Sequence, residues 1–312
     1  MAQDEVFVGV DVSKAWLDVA VWPGRQGWRV ANDRTGRGDL VRRLKRMTGL
    51  QSVGFEASGG YERGLLKALL ESDLPARRIN PTRIRKFAQA CGVLAKTDQI
   101  DAVMIARFAA TLPGRLAEQN QAAEALAELV TARRQLCEEM TRAGNQAEHT
   151  DQPLLKRLAR RRAQRLSDDI GALDVAIAKA VAQDPELARK DALLRSVPCV
   201  GPVLSHTLLA LMPELGKLSN RAAASLLGVA PFDRDSGLTK GQKHISGGRQ
   251  PVRDVAYMAA LVGARCNPAL ATFKQRLQAA GKRPKVIIVA LMRKLITILN
   301  AMLRDQTAWS NP

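Results

Sequence analysis

Apolar and polar positions along the first hundred residues change their period several times. Between residues 5 and 34 three short apolar runs, EVFVGVDVS, LDVAVWP and GWRVAND, are separated by the brief SKAW link and the turn-prone PGRQG, which predicts three strands. Leu40, Val41, Leu44 and Met47 then recur at helical spacing and predict a helix over Gly38–Met47. SVGFEAS at 52–58 reads as a fourth strand, GGYERGLLKALLES as a helix, and ARRINP at 76–81 as a short fifth strand ended by Pro81. KTDQIDAVMIARFAATL at 96–112 is helical in period and stops at Pro113-Gly114. A three-strand meander continued by crossover connections gives a mixed sheet with helices on its faces. This is the element order of an RNase H-like fold.

From Gln119 to Lys190 the pattern changes. Glycine becomes scarce, Ala, Leu, Glu and Arg dominate, and apolar positions recur every three to four residues. Long helices of coiled-coil type follow from that spacing, with a break near Asp151–Pro153. The expected division is an α/β domain over 1–115, a helical linker or oligomerisation segment over 116–190, and a mainly helical domain over 191–312. In the last, Pro251–Ala264 and Pro284–Leu303 read as helices. VPCVGPVLSHTLL resembles the turn of a helix-hairpin-helix motif, whose backbone N–H groups meet DNA phosphates; a plain helix–helix turn accounts for it equally well.

Charge narrows the partner. The 312 residues carry 48 Lys+Arg against 30 Asp+Glu, a formal net charge of +18, which suits nucleic acid or an anionic membrane. The purely apolar run Val286–Met292 is far shorter than the ~20 residues of a spanning helix. The N-terminus, MAQDEVFVGVDVSK, has acids where a signal peptide has bases. Nucleic acid is therefore the expected partner, and a cytoplasmic location is expected with it. Aromatic residues make up only 4%, so phosphate contacts are expected to outweigh base stacking. KRLARRRAQR at 156–165 places six bases in ten residues, on either a solvated helix face or a phosphate-contacting one. The four cysteines and three histidines are scattered, which predicts neither a zinc site nor disulfides.

Candidate chemistry lies in the acids. Asp11 ends the first strand, Glu56 ends the fourth, and Asp98 and Asp101 stand three apart at the start of a helix. Each has an ordinary account taken singly: a turn residue, a strand-end acid, two acids complementing a helix dipole. Two apolar strands that both end in an acid are harder to explain, because such an acid is costly to bury without a partner or metal. If the first and fourth strands are neighbours, the four carboxylates converge and suit two divalent ions about 4 Å apart, as in phosphoryl transfer. Oxygen ligands favour Mg²⁺ or Mn²⁺. Downstream, Ser236 in a D-S-G turn and Ser246 in an S-G-G turn flank a Gly-rich loop. Five bases, Arg234, Lys240, Lys243, Arg249 and Arg253, accompany one acid there, which suits phosphate neutralisation. Ser-Gly pairs also mark ordinary turns, so spacing alone does not assign a nucleophile.

The segments VGVDVSKAWLDVAV, VGFEASGGYE, INPTRIRKFAQACGVLAKTDQIDA, SVPCVGPVLSHTLLALMPELG and LLGVAPFDRDSG…GGRQPVRDVAYMAAL resemble the IS110 family of insertion-sequence transposases over nearly the whole chain. The resemblance implies a RuvC-like D-E-D-D domain, carried over to Asp11, Glu56, Asp98 and Asp101, and a C-terminal domain whose serine, carried over to Ser236 with Ser246 as alternative, attacks DNA. It further implies a composite site shared between subunits of a dimer or tetramer. Donor and target DNA would then be recognised through a structured bridge RNA. Arg83, Arg85, Lys86 and Lys96, in the third segment that ends in KTDQIDA, are the further nucleic-acid-binding candidates. Two rival readings remain: a junction resolvase or nuclease using water, which needs no Ser236, and a non-catalytic nucleic-acid scaffold, which would tolerate Asp11→Asn.

Overall fold

A computed structural model describes residues 5–24, 26–57, 59–93, 97–117, 121–232 and 243–310. They fall into two compact units, residues 1–119 and 120–312.

The first unit holds a five-stranded mixed sheet built from β1 (Val6–Val12), β2 (Trp16–Trp22), β3 (Gly27–Ala31), β4 (Leu50–Glu56) and β5 (Ala76–Ile79) in the order β3-β2-β1-β4-β5. β1, β2 and β3 run antiparallel, and β4 and β5 continue parallel to β1. This topology is consistent with the RNase H-like arrangement expected from element order. Side chains alternate between the faces. Val8, Val10, Val12, Leu17, Val19, Val53 and Phe55 form one core with Leu40 and Leu44 of α1 (Arg34–Leu44) and Leu65 and Leu69 of α2 (Arg63–Leu70). Helix α1 begins four residues earlier than its apolar spacing indicates, because Asp33 caps it by accepting from Gly36 N. Pro81 ends no strand directly: Asn80 caps and Pro81 opens α3 (Pro81–Ala90).

The other face carries α4 (Asp98–Thr111), which lies across β1, β2 and β4. The approach is close because Gly9 has no side chain. A Cβ there would stand 2.1 Å from the Ala102 carbonyl oxygen and 2.4 Å from Ala106 N. Gly54, the register partner of Gly9 on β4, extends the same shallow floor under Ile105 and Ala109.

The second unit is helical. α5 (Gln121–Glu148) and α6 (Pro153–Gln183) pack along each other, and their four-residue link makes them antiparallel. They share one core with α7 (Pro185–Arg195), α8 (Pro202–Leu211), α9 (Asn220–Leu227), α10 (Gln250–Cys266), α11 (Pro268–Ala279) and α12 (Pro284–Asp305). Leu126, Val130, Ile177 and Val181 of the long pair belong to this core, so the segment that the sequence separates as a linker packs with the C-terminal residues. A two-stranded ribbon joins β6 (Pro231–Phe232) to β7 (His244–Ile245). α12 is long and apolar enough to cross a membrane by composition, more than its uninterrupted apolar run suggested. Its Ile287, Leu291, Leu295 and Leu299 are core residues of the unit.

Candidate functional site

The sheet sets the positions of the acids. Asp11 lies two residues beyond Gly9 on β1, on the face that α4 covers. Its cross-strand partner on β2 is Asp18, whose own partner on β3 is Arg29. On the other side, Glu56 ends β4 one residue beyond Phe55, which pairs with Val10. A single row across four strands therefore reads Glu56, Asp11, Asp18, Arg29. The first turn of α4 brings Asp98 and Asp101 to the same end of the sheet, where Thr97 caps the helix by accepting from Ile100 N.

The electrostatics follow from this crowding. The Asp11 carboxyl is pushed up to about 6, first by burial and then by the charges of Asp101, Asp98, Glu56 and Asp18. The other three sequence-predicted acids thus all bear on Asp11. Among the described residues no three His, Cys, Asp or Glu side chains are drawn together closely enough to hold an ion as they stand. In donor chemistry and in charge the four acids nevertheless fit a divalent cation: every donor is a hard oxygen, and a cation would offset both the burial and the neighbouring charges that raise Asp11.

Asp18 is the member that sequence reasoning missed. It is buried, and the Arg29 Nε donates to its Oδ1 at 2.8 Å. The Arg29 Nη2 donates to Asp98 Oδ2 at 3.2 Å, and the guanidinium lies 5.8 Å over the Trp16 ring. Arg29, Thr97, Asp98 and Gln99 line an open cleft of about 570 Å³. Asn32 ties the neighbouring loops together, its Nδ2 donating to the Ser13 and Tyr61 carbonyls at 2.8 and 3.2 Å. Trp16 and Tyr61 are both exposed here.

The predicted basic residues separate into groups. Arg85 and Lys86 are exposed on α3, and Arg83 beside them lies 5.1 Å over the Phe108 ring. Arg249 is committed within its own unit, donating to both Glu214 carboxylate oxygens at 2.6 and 2.7 Å and to the Leu211 carbonyl. Arg253 donates to the Gly247 carbonyl at 2.6 Å, and Lys243 is exposed just before β7. Ser246 is exposed after β7, and of the two glycines that follow it Gly248 has a packing reason: a Cβ there would stand 2.2 Å from Gly228 N. Lys96, Arg234, Ser236 and Lys240 lie outside the described residues. On α6, Lys156, Arg157, Arg160, Arg161, Arg162 and Arg165 are all exposed.

Residues 8–152 match a transposase family, the DEDD domain of IS110 elements, and residues 191–275 match the transposase IS116/IS110/IS902 family. The chain is similar to the pilin gene-inverting protein of Moraxella bovis, with 28% identity over 96% of each chain. It is similar also to an uncharacterised 42 kDa protein of insertion element IS900 from Mycobacterium paratuberculosis, at 31% identity over 46% of this chain and 38% of that protein. The insertion element IS110 43.6 kDa protein of Streptomyces coelicolor aligns at 30% identity over 38% of this chain and 30% of its own length. With an acid row on the sheet, a two-acid helix start above it and both family domains matched in order, the chain belongs to the IS110 family of transposases.

Proposed function

We propose that the chain is a DNA recombinase that cuts and rejoins strands with a metal-dependent carboxylate site and a serine nucleophile. The observation that carries the reading is the gathering of Glu56, Asp98 and Asp101 around the half-buried Asp11 at one end of the sheet. These four would hold a divalent cation, Mg²⁺ or Mn²⁺. When bound, the metal supplies Lewis-acid stabilisation of charge on the scissile phosphate. Ser236 is the proposed nucleophile: its Oγ–P bond forms as the P–O3′ bond breaks, giving a phosphoserine link and a free 3′-OH. A 3′-OH of the exchanged strand then attacks the same phosphorus and releases the serine, so phosphodiester energy is conserved through the exchange. Exposed bases, Arg85 and Lys86 in the first unit and Lys243 in the second, would each neutralise DNA phosphates. Recognition through a bridge RNA, and a site completed between subunits of a dimer or tetramer, are carried by the family resemblance.

DNA inversion is a second outcome of the same chemistry. The Moraxella bovis relative that this chain matches end to end is a pilin gene-inverting protein. Insertion and inversion differ in how the sites are paired, not in how a phosphodiester is exchanged.

The deciding experiment supplies the gene's native flanking DNA, donor and target plasmids and Mg²⁺, then digests the DNA and maps nucleotide adducts by peptide mass spectrometry. A nucleotide on Ser236, lost in Ser236→Ala and in Asp11→Ala, is the expected result. An adduct on Ser246 corrects the residue and keeps the reaction. Cleaved DNA without any adduct replaces the serine with water.

A further inference from the structure

We propose that Arg29 is a positioning residue that holds Asp98 in competition with a divalent cation, anchored for that purpose by the buried Asp18. The inference rests on the carboxylate-site reading above and concerns a residue which that reading does not use.

The geometry is that of a two-ended clamp. Asp18 is only 3% exposed, and a carboxylate so buried cannot be left without a partner. Its cross-strand neighbour Arg29 supplies one, with Nε at 2.8 Å, so the guanidinium is fixed at its inner edge. The fork is rigid and planar, so fixing Nε directs the outer nitrogens, and Nη2 reaches Asp98 Oδ2 at 3.2 Å. A lysine in this place has one nitrogen and no fixed fork. An ordinary surface ion pair would explain the outer contact alone, since the Asp98 side chain is 62% exposed. It does not explain why the same guanidinium is pinned from beneath by a buried acid in the row that contains Asp11.

The consequence is competition for lone pairs. Asp98 Oδ2 accepts from Arg29 or ligates a cation, and a cation that recruits Asp98 must break or share that hydrogen bond. The hold on Asp98 thus supplies a physical reason why the acids are grouped without being drawn together at ligand distance. Because Asp18 keeps Arg29 in place after release, the contact can reform when the cation leaves.

The test is Mn²⁺ binding to the full chain by titration calorimetry. Asp18→Asn combined with Arg29→Gln removes the clamp and its buried anchor together, leaving the net charge unchanged. The expected result is Mn²⁺ affinity about two- to five-fold tighter than in the unsubstituted chain, the range that one exposed ion pair's coupling converts to. Adding Asp98→Asn to both proteins should weaken binding and erase the difference between them. Unchanged or weaker affinity in the folded double variant overturns the proposal. If that variant does not fold, Arg29→Lys serves: it keeps the charge on Asp18 and loses the fork, so tighter binding is expected and no change overturns it. Should Asp98→Asn alone leave Mn²⁺ binding untouched, the carboxylate site itself is misassigned.

Discussion

Asp11 carries a cost that depends on pH. Its carboxyl is raised from 3.8 to about 6 in the folded chain, by burial first and by neighbouring acids second. The folded state therefore binds more protons than the unfolded state between those values. The stability that protonated Asp11 allows is present below the unfolded value and is lost as pH rises through about 6. In a chelator at pH 7.5, Asp11→Asn is expected to raise stability by ~1–2 kcal/mol once solvent screening of this half-buried group is allowed for, and the gain should vanish near pH 4. Urea unfolding of both proteins at the two pH values checks it. At this scale the sequence displayed four of the acids, because each closes an apolar run or opens a helix. Asp18 was not legible: inside LDVAVW an acid reads as the solvent-facing half of an alternating strand. Only the pairing of β2 with β3 reveals its partner, 11 residues away. Arg249 shows the reverse case. Its glycine-rich surroundings suggest a phosphate contact, and the structure adds what they do not show, that Glu214, 35 residues upstream, accepts from both of its terminal nitrogens.

At the scale of elements, the seating of α4 on the sheet decides whether the acids meet. Gly9→Ala would drive a Cβ into the helix backbone at Ala102 and Ala106, and backbone has no rotamer with which to yield. The expected loss is ~1–3 kcal/mol of stability, together with weaker Mn²⁺ binding as Asp98 and Asp101 are pushed away. Gly54→Ala is the comparison: its Cβ would meet Ile79 Cδ1 at 3.1 Å and Ile105 Cγ2 at 3.2 Å, side chains that can turn. Denaturant curves should show Gly54→Ala to be the milder change. All five strands of the sheet and α4 were legible from period alone, because strand and helix repeats differ sharply over these runs. Helix α11 escaped notice, since Asn267-Pro268 caps and starts a new helix only two residues after Arg265, within what reads as one helical stretch and its loop. The ribbon of β6 and β7 has two residues per strand, too few for any alternation to register.

Over the whole molecule, the surplus of 18 positive charges is not spread evenly. Six bases lie exposed within ten residues of α6, few of them paired: Lys156 meets Asp151 at 3.3 Å and Arg162 meets Glu139 at 3.9 Å. If phosphates dock there, replacing Arg157, Arg160 and Arg161 by Gln should weaken nucleic-acid binding for every sequence alike. It should also lower the slope of log K against log salt by about 2–3. A filter-binding series between low and moderate salt measures it, and an unchanged slope makes this face a merely solvated one. The net charge was legible from composition, and so was the long pair of helices. That α5 and α6 share the C-terminal core was not, because an amphipathic face does not say which partner will cover it.

The contact between Gly9 and α4 also sets a length. Asp11 stands two residues past that contact on the strand, and Asp101 adjoins Ala102 on the helix side of it. The separation of these acids is therefore gauged by two polypeptide backbones touching, not by the bulk of any side chain between them. Repacking the apolar core on the opposite face of the sheet leaves such a gauge alone. Drift in the sequence can retune stability there, while the span available to a metal and a phosphate is handed on unchanged.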